Sequence, residues 1–204
     1  MMTEQEILKI FADTGALLEG HFELRSKLHS DRYFQCANVL RSPRIAARLC
    51  DELVAKMNAA CDVGRIDGVI SPAVGGILVG HEVARALDTK CVFAEKVQAG
   101  DEVDATGKPV TKLAMRRFSL KPGERYVVAE DVVTKGGRVQ ETIDLVQAAG
   151  AEVAAVVLLV DRSKGSVKFG DIPMFSLVQI QPTTWEPAAC PLCAAGGRPV
   201  HPGS

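Results

Sequence analysis

Tyr126-Val127-Val128-Ala129-Glu130-Asp131-Val132-Val133-Thr134-Lys135-Gly136-Gly137-Arg138 is the stretch that decides the fold. Its apolar start reads as a buried strand that ends in two adjacent carboxylates. A hydroxyl residue, two glycines and the beginning of a helical pattern follow. Open parallel sheets bind ligands beyond the carboxyl ends of their strands. Glycines let backbone N–H groups close around a phosphate, and a helix amino terminus adds a favourable dipole. Glu130 and Asp131 would repel that phosphate, so they need another partner. Ribose hydroxyls fit, because an ionised carboxylate is a strong acceptor for vicinal O–H donors. The Walker A pattern G-x-x-x-x-G-K-[ST] and the dinucleotide pattern G-x-G-x-x-G are both absent from the sequence, so a phosphorylated sugar is read here by another arrangement.

Working outward, strands and helices alternate. Gly137 to Ala149 reads as a helix stopped by Gly150, and Val153 to Val160 as a buried strand. Upstream, Ile66 to Ser71 reads as a strand, Pro72 to Gly76 as a tight loop, Ile77 to Leu87 as a helix and Lys90 to Glu95 as a strand. This alternation predicts an α/β fold with a mostly parallel central sheet flanked by helices. Residues 97–115 read as a long polar loop, which marks a lid or binding-loop candidate. Thr3 and Glu6 form a capping box for a first helix, and Ser42-Pro43 opens a second. Between these helices, His21 to Leu24 and Tyr33-Phe34 read as short strands of a small amino-terminal hood. The expected organisation is helix and hood over 1–40, core over 41–182 and an aperiodic tail over 183–204.

Composition narrows the function. The chain has 204 residues, with 24 Lys plus Arg against 25 Asp plus Glu, a formal charge of −1. A protein living on bulk nucleic acid would show a basic excess, and aromatic residues are only 5%, too few for a base-stacking platform. The longest apolar run, Val153 to Val160, is far short of the ~18 residues that span a bilayer. The acidic start, Met1 to Glu6, has no apolar signal-peptide core, so a cytoplasmic, reducing location is expected for the six cysteines.

The 126–138 segment resembles the phosphoribosyl-pyrophosphate motif of the type I phosphoribosyltransferases. Thr14 to Ser26 is similar to the hood of the orotate phosphoribosyltransferases, and Ile70 to Ile77 to their pyrophosphate-side loop. Phe93 to Lys96 and Leu159 to Ser163 match in order and approximate spacing. The resemblance spans roughly residues 5–195. It implies the type I phosphoribosyltransferase fold and the transfer of ribose 5-phosphate from phosphoribosyl pyrophosphate to orotate, within pyrimidine biosynthesis. It also implies Mg²⁺ held mainly by substrate oxygens, with no dedicated protein metal site, and a homodimer. Two rival functions are a purine-base phosphoribosyltransferase and a regulator that keeps the motif as a sensor. The charge balance and the lack of a helix-turn-helix extension oppose the regulator.

Carried over residue by residue, the resemblance places Glu130 and Asp131 on the ribose hydroxyls. Val132, Val133, Thr134, Lys135, Gly136, Gly137 and Arg138 then complete the phosphoribosyl-pyrophosphate site. Thr134, Arg162, Arg25 and Phe34 fall near orotate, and Lys96 and Asp131 are the catalytic candidates. A guanidinium fork at Arg162 suits the orotate carboxylate. The sequence departs from the family pattern at three places. Gly75 stands where a Lys is frequent. Lys135 and Arg138 replace small or hydroxyl residues. Asp101, Glu102 and Asp104 make the mobile loop acidic, leaving Lys108, Lys112, Arg116 and Arg117 as candidates for the cation that acts across the dimer. Cys190 and Cys193 form one C-x-x-C pair with His201 the sole nearby extra ligand, so a plain thiol pair is expected rather than zinc.

Overall fold

The structure is a computed structural model and describes residues 1–24, 26–103, 107 and 109–201. In chain order its elements are α1 (Glu4–Asp13), β1 (Leu17–Glu23), β2 (His29–Phe34), α2 (Ala37–Leu40), α3 (Pro43–Ala60), β3 (Gly68–Pro72), α4 (Gly76–Ala86), β4 (Lys90–Val103) and β5 (Pro109–Ala114). They continue with β6 (Arg125–Val133), α5 (Gly137–Ala148), β7 (Glu152–Asp161), β8 (Met174–Gln179), β9 (Thr184–Trp185), a 3-10 turn (Pro187–Ala189) and α6 (Pro191–Ala194). Thr3 caps α1 as its sequence predicts: Glu6 N donates to Thr3 Oγ1, and Thr3 N donates to Glu6 Oε2.

The main sheet has the order β5-β4-β3-β6-β7-β8, parallel except for β5. Successive residues of its central strands bury on opposite faces. Val127, Ala129, Val157 and Leu159 join α1, α3 and α4 on one side through Phe11, Leu49, Leu53 and Val79. Tyr126, Val128, Val156 and Leu158 join α5 on the other through Val139, Ile143 and Val146. Burial on both faces explains why these strands read as unbroken apolar runs. The alternating expectation of a helix-flanked parallel sheet therefore holds. β8, a further parallel strand beside β7, escaped the sequence reading.

Residues 97–115 are not the loop that was expected. β4 runs parallel to β3 over Lys90–Ala94, then continues outward and pairs antiparallel with β5 from Glu95. The result is an arm that projects beyond the sheet. Among its described residues from 97 to 114, Leu113 alone is buried. A hairpin exposed on both faces carries no period-two apolar signal, so the sequence reads as polar loop.

The hood is a three-stranded antiparallel sheet, β1-β2-β9. Its third strand comes from the segment expected to be a separate tail. His29 pairs with Trp185 and Ser30 with Thr184, while Ser30 Oγ donates to Thr183 O at 2.9 Å. On the opposite edge Val200 N donates to His21 O and Glu23 N to Val200 O. Residues 183–201 thus embrace both edges of the hood. Two-residue pairings of this kind leave no periodicity to read.

Candidate active site

β6 carries the decisive segment to one edge of the main sheet. Glu130 and Asp131 lie near its end, and the chain then turns through Thr134 and Lys135 into α5. Gly136 makes the turn with φ +78°, and a Cβ there would come within 2.8 Å of Val167 Cγ1 and 3.1 Å of Phe169 Cζ. Glycine is required on both counts. The amino terminus of α5 faces a cleft of about 490 Å³ lined by residues 130–139, Thr111 and Glu141. Every phosphoribosyl-pyrophosphate candidate named from sequence, 130–138, is on this wall. Arg138 is anchored there, donating to Glu141 Oε2 and, at 3.2 Å, to Thr111 Oγ1. Thr111 and Glu141 were not foreseen. Thr111 comes from the arm, and nothing in its local sequence marks it.

The two carboxylates are held in a costly state. Glu130 is 9% exposed, and its side chain accepts from Asp131 N at 3.1 Å. Asp131 Oδ1 accepts from Val132 N at 2.8 Å. Burial, and then the neighbouring Asp131 charge, pushes the Glu130 carboxyl well up; burial also raises Asp131. The β3–α4 loop closes over this pair. A Cβ on Gly75 would lie 3.2 Å from Asp131 Oδ2, and one on Gly76 3.0 Å from Glu130 Oε1. The frequent family Lys is therefore replaced by a residue that lets backbone approach the acids.

A second cleft of about 380 Å³ shares Thr134 and Lys135 with the first. Its other walls are Arg162, the hood residues Leu24, Ser26, Tyr33 and Phe34. Thr134, Arg162 and Phe34, chosen from separate segments, thus meet in one place. Tyr33 was missed, although it sits beside Phe34 in the same strand. Arg162 follows β7, and its backbone N donates to Val133 O at 2.9 Å. The preceding Asp161 is fully buried and accepts from Ser163 N, Ser163 Oγ and Gly165 N, which fixes the turn that presents Arg162. Among the described residues, Arg162 Nε is buried with no hydrogen-bond partner. Burial lowers the pKa of this guanidinium, so an anion beside it would be favoured.

The remaining candidates are dispersed. Arg25, Lys108 and Asp104 lie outside the described residues. Lys96 is exposed on β4 opposite Leu113 and lines neither cleft, yet its charge opposes the rise at Glu130. Arg117 is engaged with Glu95, at 3.2 Å. Lys112 and Arg116 are exposed at the base of the arm.

Strand, acidic pair, glycine turn and helix amino terminus together mark a phosphoribosyl transfer site. The phosphoribosyl transferase domain family matches residues 37–192, and the chain belongs to that family. An orotate phosphoribosyltransferase of Heliobacterium modesticaldum is 45% identical over 203 residues, covering 100% of this chain and 99% of the relative. That of Carboxydothermus hydrogenoformans is 45% identical over 200 residues, covering 98% and 97%. Within the larger family the chain stands with the orotate phosphoribosyltransferases. Among solved structures, an orotate phosphoribosyltransferase of Aeropyrum pernix superposes with a TM-score of 0.65 at 22% identity, covering 85% of this chain and 93% of that one. An adenine phosphoribosyltransferase of Thermoanaerobacter pseudethanolicus gives 0.63 at 17% identity, covering 87% and 100%. These two likenesses concern the fold.

Proposed function

We propose that the protein transfers ribose 5-phosphate from 5-phosphoribosyl 1-pyrophosphate to orotate, giving orotidine 5′-monophosphate and pyrophosphate in pyrimidine biosynthesis. The observation that carries this reading is the pairing of two clefts through Thr134 and Lys135, one suited to a phosphorylated sugar and the other to an anionic base. The bond that breaks is at the anomeric carbon, so charge develops in two places. The ribose becomes cationic and the pyrophosphate leaves as an anion.

Backbone N–H groups of residues 134–138 and the α5 dipole hold the 5′-phosphate, with Lys135 and Arg138 adding charge. Glu130 and Asp131 accept from the ribose hydroxyls. Asp131 also offers its negative charge to the cationic ring. Neither carboxylate makes an ion pair among the described residues. A buried acid beside a half-buried one, neither in an ion pair, fits a divalent ion that arrives with the substrate. Mg²⁺, carried on pyrophosphate and ribose oxygens, would act beside them as template and Lewis acid. Lys96, at the root of the arm, is the candidate to meet the leaving group. Closure of the arm and the hood over bound substrates would exclude water from the two clefts.

Arg162 sets the base. Its guanidinium pairs with the orotate carboxylate, and Phe34 and Tyr33 supply the hood-side wall. A purine base has no carboxylate and would leave this half-buried cation unpaired, which opposes the purine-base reading. Val74, 82% exposed, and Leu78, 50% exposed, form an apolar spot at the start of α4. They support a homodimer, and the reaction suits a cytoplasmic enzyme. The test is an assay with phosphoribosyl pyrophosphate and Mg²⁺ against orotate, adenine and hypoxanthine in parallel. Consumption of orotate with release of pyrophosphate is expected. Turnover of a purine with none of orotate overturns the reading.

A further inference from the structure

The hood and the carboxyl-terminal segment meet at four ligand-type atoms. His21 Nε2 and His29 Nδ1 lie 3.0 Å apart. Cys190 Sγ is 3.4 Å from His21 Nε2, and Cys193 Sγ is 3.7 Å from it and 3.3 Å from His29 Nδ1. All four atoms fall within 4.8 Å of one another. His29 and Cys190 are buried, and His21 and Cys193 partly so. His201, the histidine nearest to the cysteines in sequence, stands elsewhere, 3.9 Å from Glu23.

These spacings can be compared with the edges of a tetrahedron around zinc. With Zn–N near 2.05 Å and Zn–S near 2.3 Å, the N···N edge is about 3.3 Å, N···S about 3.6 Å and S···S about 3.8 Å. The N···S distances, 3.3 to 3.7 Å, bracket their edge, and the N···N distance of 3.0 Å is slightly shorter than its own. We propose that His21, His29, Cys190 and Cys193 form a structural tetrahedral zinc site that staples the carboxyl-terminal segment to the hood.

The chemistry of the set is consistent with a closed site. Two thiolates and two neutral imidazoles around a divalent ion give no net charge, so burying the assembly carries little of the cost of burying an ion. Nitrogen–sulfur tetrahedra select zinc over magnesium or calcium, which favour oxygen. All four ligands come from protein, which leaves no open position for a substrate and marks a structural role. The two-residue spacing of the cysteines is taken up by the single turn of α6, which starts at Pro191 between them. The histidines lie on neighbouring strands, with rings at 4.8 Å and 68°. Backbone bonds already join the two segments, from Val200 N to His21 O and between β2 and β9. Zinc would lock that arrangement. The segment is otherwise poorly anchored: from Pro187 to Val200, Cys190 is its one fully buried residue.

The test uses the full chain, purified under reducing conditions without added chelator. Elemental analysis is expected to find about one zinc per chain in the wild type and in Cys61→Ser. Cys190→Ser and Cys193→Ser should each lose it. Stripping zinc from the wild type should lower Tm by several degrees, and Zn²⁺ but not Mg²⁺ should restore it. This readout requires no variant to fold. Co²⁺ offered to the stripped protein should give tetrahedral d–d bands together with a thiolate charge-transfer band. The proposal is overturned if the purified chain is zinc-free and the stripped protein takes up neither Zn²⁺ nor Co²⁺. It is equally overturned if a Cys190–Cys193 disulfide is found in the purified protein, or if the metal persists in both serine variants. None of these readouts depends on the substrate, so the result stands apart from the assay for orotate.

Discussion

The sugar-phosphate cleft and the base cleft share two residues and are built in opposite ways. The first is essentially one contiguous run, 130–139, folded by local rules: a strand end, a left-handed glycine and a helix amino terminus. The second is assembled from Leu24 and Ser26, from Tyr33 and Phe34 and from Arg162, joined at the common Thr134 and Lys135. On the proposed reading, sugar-phosphate recognition is written in one segment, while base selection depends on the hood's docking over the sheet and on the turn ordered by Asp161. Perturbations of the two should therefore separate.

The largest effect is expected at Asp131. Asp131→Asn removes the charge from two ribose hydrogen bonds, each worth ~1.5–3 kcal/mol when charged. A loss of ~4 kcal/mol is on the order of 10³-fold in kcat/KM for both substrates, at 1.36 kcal/mol per decade. Circular dichroism should remain that of the wild type. Arg162→Ala comes next, at about 10²-fold from ~2.7 kcal/mol, and confined to orotate. Affinity for phosphoribosyl pyrophosphate should be unchanged, and Arg162→Lys should recover only part of the activity, because an ammonium lacks the planar fork. Equal losses for both substrates in the Arg162 variant would erase the proposed separation.

A third variant tests stability rather than rate. The raised pKa of Glu130 means that its charged form penalises the folded state. Below about pH 4.5 the group is protonated in both folded and unfolded chains, and no penalty exists. As pH climbs toward the folded pKa, the unfolded chain ionises first and gains the advantage. Glu130→Gln should therefore stabilise the protein by roughly 1 kcal/mol at pH 8, or about 2–4 °C in Tm, while its activity falls. The gain should shrink toward zero near pH 4.5. The smallest effect belongs to the arm. Val103 is 60% exposed on β4, and Val103→Lys should change stability by less than about 0.5 kcal/mol. Limited proteolysis should cut within residues 97–112 first, and phosphoribosyl pyrophosphate with Mg²⁺ and orotate should protect the site. Identical cleavage with and without substrates would remove the arm from any role in closing the cleft.

The same contrast explains what could be read from sequence. The 126–138 run declares both fold and chemistry because strand, acids and glycines are adjacent and each obeys a local rule. β3, α4, α5 and β7 are legible for the same reason, through apolar runs and helix stops. The arm is misread because solvent surrounds both its faces. β9 is too short to show a period. Tyr33 and Thr111 become site residues only when the hood and the arm fold over the sheet. The clearest case is the cysteine pair. Its spacing is visible at 190 and 193, yet the two histidines that face it are at 21 and 29, at the far end of the chain. Nearness in sequence points instead to His201.

One backbone bond has a consequence for ligand size. Val132 pairs with Val160 and Val133 with Asp161, and Arg162 N bonds to Val133 O. The segment that cradles phosphate and the segment that presents the guanidinium are thus adjacent rungs of one ladder, with strands about 4.8 Å apart. Peptide geometry thus fixes where the Arg162 side chain starts relative to the phosphate loop, and the length of that side chain sets how far it reaches. Substitution of neighbouring side chains leaves that starting point in place. A variant made to accept a longer or bulkier base must therefore find its room on the hood side, at Tyr33 and Phe34, where the wall belongs to a different sheet.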